Sequence, residues 1–293
     1  MNIYDCFMYF DEDMLLEIRL NTLDKYVKKF VIAEADYTHN GESKKLRFNI
    51  KNFSKFKDKI IYLPLTEKPN NLNDTDIGNL EKKNAAILEN AVLRENFQRN
   101  YLQSEVNKFH DEELILISDL DEIPNLENFK YKKKITIFKQ KMFMYKLNLV
   151  YPDFLWTGSK LCKKKHLITP QWLRNIRPKI YNLMRLDILL SKKKYNNLEI
   201  IDNGGWHFTN IKSPENIDYK MRSFLHHLEY SESGLGTGEI KNLIKEKKVL
   251  YNYKVDQKED KWKSEVLLKT ADNRDLPRYI TQNIDKFSIW MDN

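Results

Sequence analysis

The chain has 293 residues, of which 41% are hydrophobic and 31% are charged, so a wholly disordered chain is excluded. It contains only two cysteines, Cys6 and Cys162, which excludes a disulfide framework and a four-thiolate zinc site. We expect both thiols to be buried and reduced. Fifty basic residues against 42 acidic residues give a net charge of +8, which would suit an anionic partner or a merely lysine-rich surface.

No stretch of about 18 uninterrupted apolar residues occurs, so we expect no transmembrane segment. No basic segment followed by an apolar run opens the sequence, and we therefore expect a cytoplasmic protein. Three short lysine runs, at residues 132–134, 163–165 and 192–194, are each expected to mark a loop or a solvated edge.

Strand and helix patterns alternate in the first half of the chain. Strands are predicted at residues 3–10, 30–33, 60–63 and 114–117, the third being stopped by Pro64. Helices are predicted at residues 11–23 and 80–108, the second with its apolar side at Leu88, Val92, Leu102 and Val106. This order predicts an α/β fold with a mostly parallel central sheet and flanking helices. Ligands of such sheets lie beyond the carboxyl ends of the strands.

The second half of the chain is less regular. Strands are predicted at residues 135–145 and 148–151, and a helix at 213–228 begins with Ser213 as its N-cap and Pro214 at its first position. A flexible loop is predicted at 231–238, and Pro277 is expected to open a last helix. No repeat or long linker is present. We therefore expect a single domain over residues 1–293 with an irregular C-terminal half.

The sharpest motif is Asp-x-Asp-Glu-Ile-Pro, which begins at Asp119 directly after the apolar strand at 114–117. Alternate side chains of an extended chain point the same way, so Asp119 and Asp121 can project towards one point. Two carboxylates suit Mg²⁺ or Mn²⁺, which would hold a diphosphate and neutralise it as a leaving group. An Asp-rich turn that precedes a helix is the alternative. A haloacid-dehalogenase-type phosphatase would carry the motif near its N-terminus, so that possibility is discounted.

Two further segments carry chemistry. A polar turn after the second strand contains Glu34, Asp36, Thr38 and Gly41, which could bind a ribose or a base edge. Downstream, Gly204 and Gly205 allow close backbone approach before a Trp-His pair. There His207 could bind a metal and Trp206 could stack on a sugar or a base. Taken singly, each segment also fits an ordinary loop and a structural histidine.

Together these segments resemble glycosyltransferase family 17, the family of the bisecting β-1,4-mannosyl-glycoprotein 4-β-N-acetylglucosaminyltransferase. The resemblance covers most of the chain, from a Leu-Leu-x-x-Arg-Leu core at 15–20 to a segment at 277–287. It includes Glu-x-x-x-Thr-x-x-Gly-Glu at 34–42, the Asp-x-Asp motif and Gly-Trp-His at 205–207. The family resemblance implies a GT-A type fold and an inverting transfer from a nucleotide sugar, with UDP-N-acetylglucosamine as the expected donor.

The resemblance also implies roles for individual residues. Asp119 and Asp121 would hold the metal and the diphosphate, with His207 as a third metal ligand. Glu34, Thr38 and Gly41 would lie at the nucleotide, as would Asp36 beside them. Residues 1–125 would form the nucleotide-sugar-binding half and residues 126–293 the acceptor-binding half.

An inverting transfer also needs a general base for the acceptor hydroxyl, and a carboxylate is expected. Glu122, Asp153 and Asp202 are the candidates, with Asp202 slightly preferred because it precedes the Gly-Gly-Trp-His turn. Arg174 and Arg177 are candidate diphosphate clamps, because guanidinium groups match phosphate oxygens. Surface arginines are the alternative.

The acceptor is expected to be a glycan, in surface polysaccharide or glycoconjugate synthesis. A lipid-linked glycan at the inner membrane face, with peripheral membrane contact, would suit the positive charge. One competing class is a non-catalytic nucleic-acid-binding protein, and another is a different metal-dependent phosphate enzyme. Nucleic acid is not expected as a partner, because the chain has no known nucleic-acid-binding pattern and its strand-end carboxylates would repel phosphates.

Overall fold

Two β-sheets form the framework of the protein in a computed structural model that describes residues 1–181, 186–188, 191–255, 261–262 and 265–292. In chain order the strands are β1 (Ile3–Met8), β2 (Val27–Ala35), β3 (Ile60–Leu65), β4 (Leu114–Asp119), β5 (Glu122–Pro124), β6 (Ile135–Phe138), β7 (Gln140–Met144), β8 (Leu149–Trp156), β9 (Lys160–Lys163), β10 (Leu198–Ile201), β11 (Gly205–Thr209) and β12 (Lys269–Thr270).

The α-helices of the described residues flank these sheets. They are α1 (Asp13–Leu23), α2 (Leu80–Tyr101), α3 (Gln103–Val106), α4 (Pro170–Arg174), α5 (Pro214–Ser223), α6 (His227–Glu232), α7 (Thr237–Lys245), α8 (Arg278–Thr281) and α9 (Ile284–Phe287). Short 3-10 helices lie at Ile50–Phe56, Lys164–His166, Leu186–Ile188, Asn273–Asp275 and Ser288–Trp290. None of the helices described is long and apolar enough to cross a membrane.

The first sheet has seven strands in the spatial order β10-β6-β9-β4-β1-β2-β3. Strands β3, β2, β1 and β4 are mutually parallel, whereas β9 lies antiparallel between β4 and β6. The predicted α/β fold, with a mostly parallel central sheet and flanking helices, is confirmed. Three strands of this sheet, β6, β9 and β10, come from residues 126–293, the part of the chain expected to bind the acceptor.

The central strand β4 is apolar on both faces, because helices cover both sides of the sheet. Leu114 and Leu116 belong to the core under α1, and Ile115 and Ile117 belong to the core that includes Leu173 of α4. Both cysteines are buried and unpaired, as expected.

The second sheet has the spatial order β12-β8-β7-β11-β5. Met142 and Met144 of β7 pack with Ile217 of α5 and Ile240 of α7. The C-terminal half is therefore more regular than predicted, because its short strands pair with one another and are covered by the helices α5–α7. The flexible loop predicted at 231–238 is reduced to the turn between α6 and α7.

Several predicted boundaries were wrong. Strand β3 continues through Pro64 to Leu65, since it lies at the sheet edge, where a missing N–H donor is tolerated. The predicted strand at 135–145 is divided between β6 and β7, which belong to different sheets. The long helix is divided into α2 and α3, and Val92 on its predicted apolar side is 39% exposed. The buried residues of α2 are two alanines together with the polar residues Asn90, Gln98 and Arg99.

Arg19 of α1 is fully buried and joins the first sheet to the loop after β4. Its Nε and Nη2 donate to the two carboxylate oxygens of Asp5, at 2.8 and 2.5 Å. Its Nη1 donates to the backbone oxygens of Asp119, Leu120 and Glu122, at 3.1, 3.1 and 2.6 Å. A single buried side chain therefore fixes the loop between β4 and β5.

We expect replacement of Arg19 by Met to lower the free energy of unfolding by about 3–5 kcal/mol, because the buried Asp5 carboxylate loses its partner. Denaturant unfolding of both proteins measures the difference. Arg274→Met is the control, since Arg274 is paired with Asp272 but is 90% exposed, and should cost less than about 1 kcal/mol. An equal, small loss in both variants would contradict the role given to Arg19.

Candidate functional site

A cleft of about 480 Å³ lies at the carboxyl ends of the parallel strands. Met8, the last residue of β1, is in register with Ala33 of β2 and Asp119 of β4, so the three strands end side by side. The cleft is lined from the sheet by Met8 and Asp119, from the second sheet by His207, and from helices α2 and α5 by Arg99 and Lys220. Both aspartates of the Asp-x-Asp motif and His207 therefore line one cavity.

Asp119 is held by two arginines from different helices. Its Oδ1 accepts from Arg99 Nη2 at 3.0 Å, and its Oδ2 accepts from Arg174 Nη2 at 2.7 Å. Burial opposes ionisation of Asp119, but Arg174 and Arg99 outweigh it and hold the pKa of this carboxyl well below its usual range. Asp119 is therefore a fixed anion whose two oxygens are both engaged.

Glu122 also has both oxygens engaged. Its Oε1 accepts from Trp156 Nε1 at 2.5 Å and from Arg174 Nη2 at 3.0 Å. Its Oε2 accepts from Arg174 Nη1 at 2.7 Å and from the backbone N–H of Asp119 at 2.9 Å. A Cβ at Gly158 would lie 1.9 Å from Oε1, so only glycine leaves room for this carboxylate. Glu122 is placed to position Arg174 and Trp156 rather than to accept a substrate proton.

Asp121 has looser contacts. Its Oδ1 lies 3.5 Å from His207 Nε2, and its Oδ2 lies 3.6 Å from Lys220 Nζ. Burial raises the pKa of Asp121, but His207 and Lys220 outweigh this and lower it. The ring of His207 packs against Trp156 with centroids 5.0 Å apart, and its buried Nδ1 has no hydrogen-bond partner in the described chain.

The Asp121–His207 pair fits a divalent cation. Two atoms that bind one ion at about 2.1 Å each lie about 3–3.5 Å apart, which is the separation seen here. Asp119 is turned towards the arginines, and within the described ranges no three His, Cys, Asp or Glu residues are grouped as a complete metal site. A cation would therefore depend on substrate oxygens and water for its remaining ligands, as is usual where Mg²⁺ binds phosphate substrates.

Sequence reasoning missed the cationic residues of the cleft. Arg99 donates to Glu95 Oε1 at 2.8 Å as well as to Asp119, and Lys220 is 14% exposed beside Asp121. Both residues lie on helices whose polar residues are typical of solvated faces. Only a weak signal pointed to Arg99. The helix α2 is long but has few apolar residues along one face, which indicates that some of its polar side chains are buried.

The turn after β2 contributes only in part. Of its four predicted residues, only Thr38 lines the cleft. Glu34 is fully buried and accepts from Lys44 Nζ at 2.6 Å, from Tyr62 Oη at 2.9 Å and from the backbone N–H groups of residues 47 and 48. It therefore anchors the segment at 44–48. Asp36 bonds through its backbone to residues 44 and 65, and Gly41 has φ +102° and packs against Arg94.

Two of the predicted general bases lie outside the cleft. Asp202 is 82% exposed and pairs with Lys139 at 2.6 Å, because it follows β10, the edge strand that β6 and β9 separate from β4. Asp153 is exposed on β8, where it adopts φ +56°.

The predicted clamp and stacking residues are separated as well. Arg177 is exposed, whereas Arg174 is buried against Asp119 and Glu122. Trp206 donates Nε1–H to the backbone oxygen of Asp275 at 2.5 Å and lines a second cavity of about 280 Å³. The reason is the alternation of strand side chains, which sends Trp206 and His207 to opposite faces of β11.

Comparison with known proteins gives one family. The model of the family described as Glycosyltransferase family 17 matches residues 1–291. No curated protein matches the chain. A crystal structure of galactosyltransferase LgtC, in complex with donor and acceptor sugar analogues, is 11% identical with a TM-score of 0.27. That match covers 57% of this chain and 59% of LgtC, about three fifths of the relative's length. The TM-score is too low for the match to support a conclusion about the site.

Lys160, the first residue of β9, supports the helix that presents Arg174. Its Nζ donates to the backbone oxygens of Arg174 and of Ile176, the latter at 2.7 Å. Burial, reinforced by the charge of Arg174, lowers the pKa of Lys160 to about 7. The folded protein thus disfavours the charged form of Lys160. The resulting loss of folding stability is complete at pH values below this pKa.

We expect the stability of the protein to rise between pH 7 and pH 9, because the unfolded chain binds the Lys160 proton over this range and the folded protein does not. The gain over the Lys160→Met variant should be about 2 kcal/mol. Denaturant unfolding at both pH values tests this, with exposed Lys82→Met as the control. A parallel pH dependence in wild type and Lys160→Met would contradict it.

Proposed function

Because the chain belongs to glycosyltransferase family 17 and is therefore a glycosyltransferase, we propose that its cleft transfers a sugar from a nucleotide-sugar donor to a glycan hydroxyl with a divalent cation. The observation that carries this proposal is the Asp121–His207 pair, spaced as two metal ligands, with Lys220 3.6 Å from Asp121. A donor diphosphate is anionic, and this is the part of the cleft where a cation and a lysine would meet it together.

Asp121 and His207 would hold Mn²⁺ or Mg²⁺, and the bound cation would neutralise charge that develops on the departing diphosphate. Lys220 would donate hydrogen bonds to the same diphosphate. Arg99 and Arg174 stay with Asp119, so they shape the wall of the cleft and limit how far the carboxylate can turn. UDP-N-acetylglucosamine is the first donor to test, since the resemblance to the bisecting-enzyme family implies it.

Two aromatic groups at different positions support separate donor and acceptor subsites. Phe10 and His39 follow β1 and β2 and pack against Phe224, with ring centroids 5.2 and 5.1 Å away. Ligands of parallel sheets bind beyond these strand ends, so this group is proposed for the nucleotide. Tyr251 and Tyr253, 4.8 Å apart, are proposed to pack on the acceptor sugar.

The general base is proposed among the carboxylates that line the cleft. Glu12 and Glu95 take the place of Asp202 and Asp153 as candidates, since both line the cavity. An inverting transfer requires the base on the side of the sugar opposite the diphosphate. The reaction is proposed to serve surface polysaccharide or glycoconjugate synthesis.

We expect UDP to raise the melting temperature only in the presence of Mn²⁺, because the diphosphate supplies ligands that the protein lacks. A ligand at 100 times its dissociation constant stabilises the native state by about 2.7 kcal/mol. Asp121→Asn should abolish the shift, and His207→Gln should raise the Mn²⁺ concentration that it requires. Asp202→Asn is the matched control and should keep the full shift, because Asp202 is 82% exposed.

Each other outcome of this thermal experiment has a meaning. A Mn²⁺-dependent shift with GDP or CDP in place of UDP would keep the cleft and change the donor. A full shift in Asp121→Asn would remove Asp121 from the cation site. No shift with any nucleoside diphosphate, together with salt-dependent retention on single-stranded DNA, would favour a nucleic-acid-binding protein.

We expect substitutions in the two aromatic groups to raise the KM of different substrates. Tyr251→Leu should raise the KM for a glycan acceptor about 2- to 10-fold, since ring packing contributes about 0.5–1.5 kcal/mol, and should leave donor hydrolysis without acceptor unchanged. Phe10→Leu should raise the KM for the donor instead. Equal effects of both variants on donor hydrolysis would contradict the division of the cleft.

A further inference from the structure

The three lysine runs, which are separated by fewer than 30 residues from one to the next, lie at one end of the strands of the first sheet. Residues 132–134 precede β6, residues 163–165 end β9 and continue from it, and residues 192–194 lead towards β10. Since β9 is antiparallel to β4 and β6, and β10 is parallel to β6, the end of β9 lies beside the starts of β4 and β6, and β10 starts next to β6. We name this surface, residues 132–134, 163–165 and 192–194, the basic edge.

Backbone contacts hold the basic edge together. The N–H of Lys134 donates to Asn197 Oδ1 at 3.1 Å, just before β10. The N–H groups of Lys164 and Lys165 donate to the backbone oxygens of Glu113 and Asp111, at 2.8 and 3.1 Å, just before β4. The positions of two of the runs are therefore set by the strands that they flank.

The basic edge carries an excess of positive charge. Its nine lysines lie beside five acidic residues, which leaves four positive charges, half of the chain's net charge of +8. The five acidic residues are Asp111, Glu112, Glu113, Asp187 and Glu199. Charge of this sign on one face attracts a polyanionic partner.

Apolar and aromatic residues beside the basic edge distinguish between polyanions. Ile168 and Ile180 are 59% and 63% exposed, and the neighbouring Tyr181 donates its N–H to Asn196 next to the basic edge. Tyr131 and Tyr195 are half-buried, and each has a lysine ammonium 5.8 Å from its ring centre, which leaves less ring surface for base stacking. Exposed isoleucines among lysines suit a lipid surface, where apolar side chains enter the headgroup layer.

We propose that the basic edge binds a membrane surface that contains anionic phospholipids. The cleft lies at the opposite end of the strands, because Asp119 is the last residue of β4 and Leu114 is its first. Six residues of strand span about 20 Å. That distance exceeds the Debye length of about 8 Å at physiological salt, so we expect charges at the starts of β4 and β6 to have little effect on nucleotide binding.

The test is co-sedimentation of the full chain with phosphatidylcholine vesicles that do or do not contain phosphatidylglycerol. We expect binding only to the anionic vesicles at about 0.15 M salt and its loss at about 0.5 M salt, where charges are more strongly screened. The variant carrying Lys133→Gln, Lys192→Gln and Lys193→Gln, all exposed on the basic edge, should bind at least tenfold more weakly.

The matched control carries Lys82→Gln, Lys83→Gln and Lys241→Gln, which remove the same charge from helices α2 and α7. Lys82 and Lys83 lie at the start of α2, and Arg99, 16 residues after Lys83 on the same helix, lies at the cleft. The start of α2 is therefore remote from the basic edge. The control should bind anionic vesicles like the wild type. Both variants should keep the melting temperature and any Mn²⁺–UDP shift of the wild type.

Three results would overturn the proposal. One is equal vesicle binding by the basic-edge variant and the control variant. Another is equal binding to vesicles with and without phosphatidylglycerol. The third is failure to bind vesicles combined with tight binding of a single-stranded oligonucleotide that the basic-edge variant loses, which would assign the surface to nucleic acid. None of these results depends on the proposed donor or metal.

Discussion

The buried guanidinium of Arg19 is the interaction on which the geometry of the cleft depends. It neutralises Asp5 in the middle of β1 and donates to the backbone oxygens of Asp119, Leu120 and Glu122, in and beside the loop that carries Asp119 and Asp121. The loop carries the neighbouring carboxylates of Asp119, Asp121 and Glu122, which repel one another, and its one apolar residue, Leu120, is buried in the core. A buried cation that binds the carbonyl groups of this loop offsets the repulsion, which explains why an arginine lies among four buried aliphatic residues in the segment at 15–20.

The two aspartates of the motif lie in unequal environments, and this inequality divides their roles. Asp119 forms short charge-assisted hydrogen bonds to Arg99 and Arg174, which are among the strongest in proteins. The contacts of Asp121 to His207 and Lys220 are 3.5 and 3.6 Å long. A cation that binds Asp121 would therefore replace weaker contacts than one that binds Asp119. Asp119 thus fixes the wall of the cleft, and Asp121 is the carboxylate left to adapt to a ligand.

The sequence was sufficient to predict the parallel strands and the Asp-x-Asp edge, because apolar runs and strand ends are local signals. It could not identify Arg99 or Lys220. A polar residue on a helix has the same sequence pattern whether its side chain faces solvent or a cleft. Glu34 was misjudged for a similar reason, because a carboxylate at a strand end can bind substrate or anchor its own loop. The placement of Trp206 away from His207 was the exception, as side-chain alternation along a strand already predicts it.

Strand direction also decides how the charge of the molecule is distributed. Lysine runs that look scattered in the sequence meet at the amino ends of β4, β6 and β10, while the carboxylates gather at the carboxyl end of β4. If the basic edge faces a membrane, the cleft opens about 20 Å away from it. A sugar joined directly to a lipid phosphate would remain within the headgroup layer and could not reach that cleft. The geometry therefore favours an acceptor that extends from the surface as a longer glycan, or one that is not bound to lipid at all.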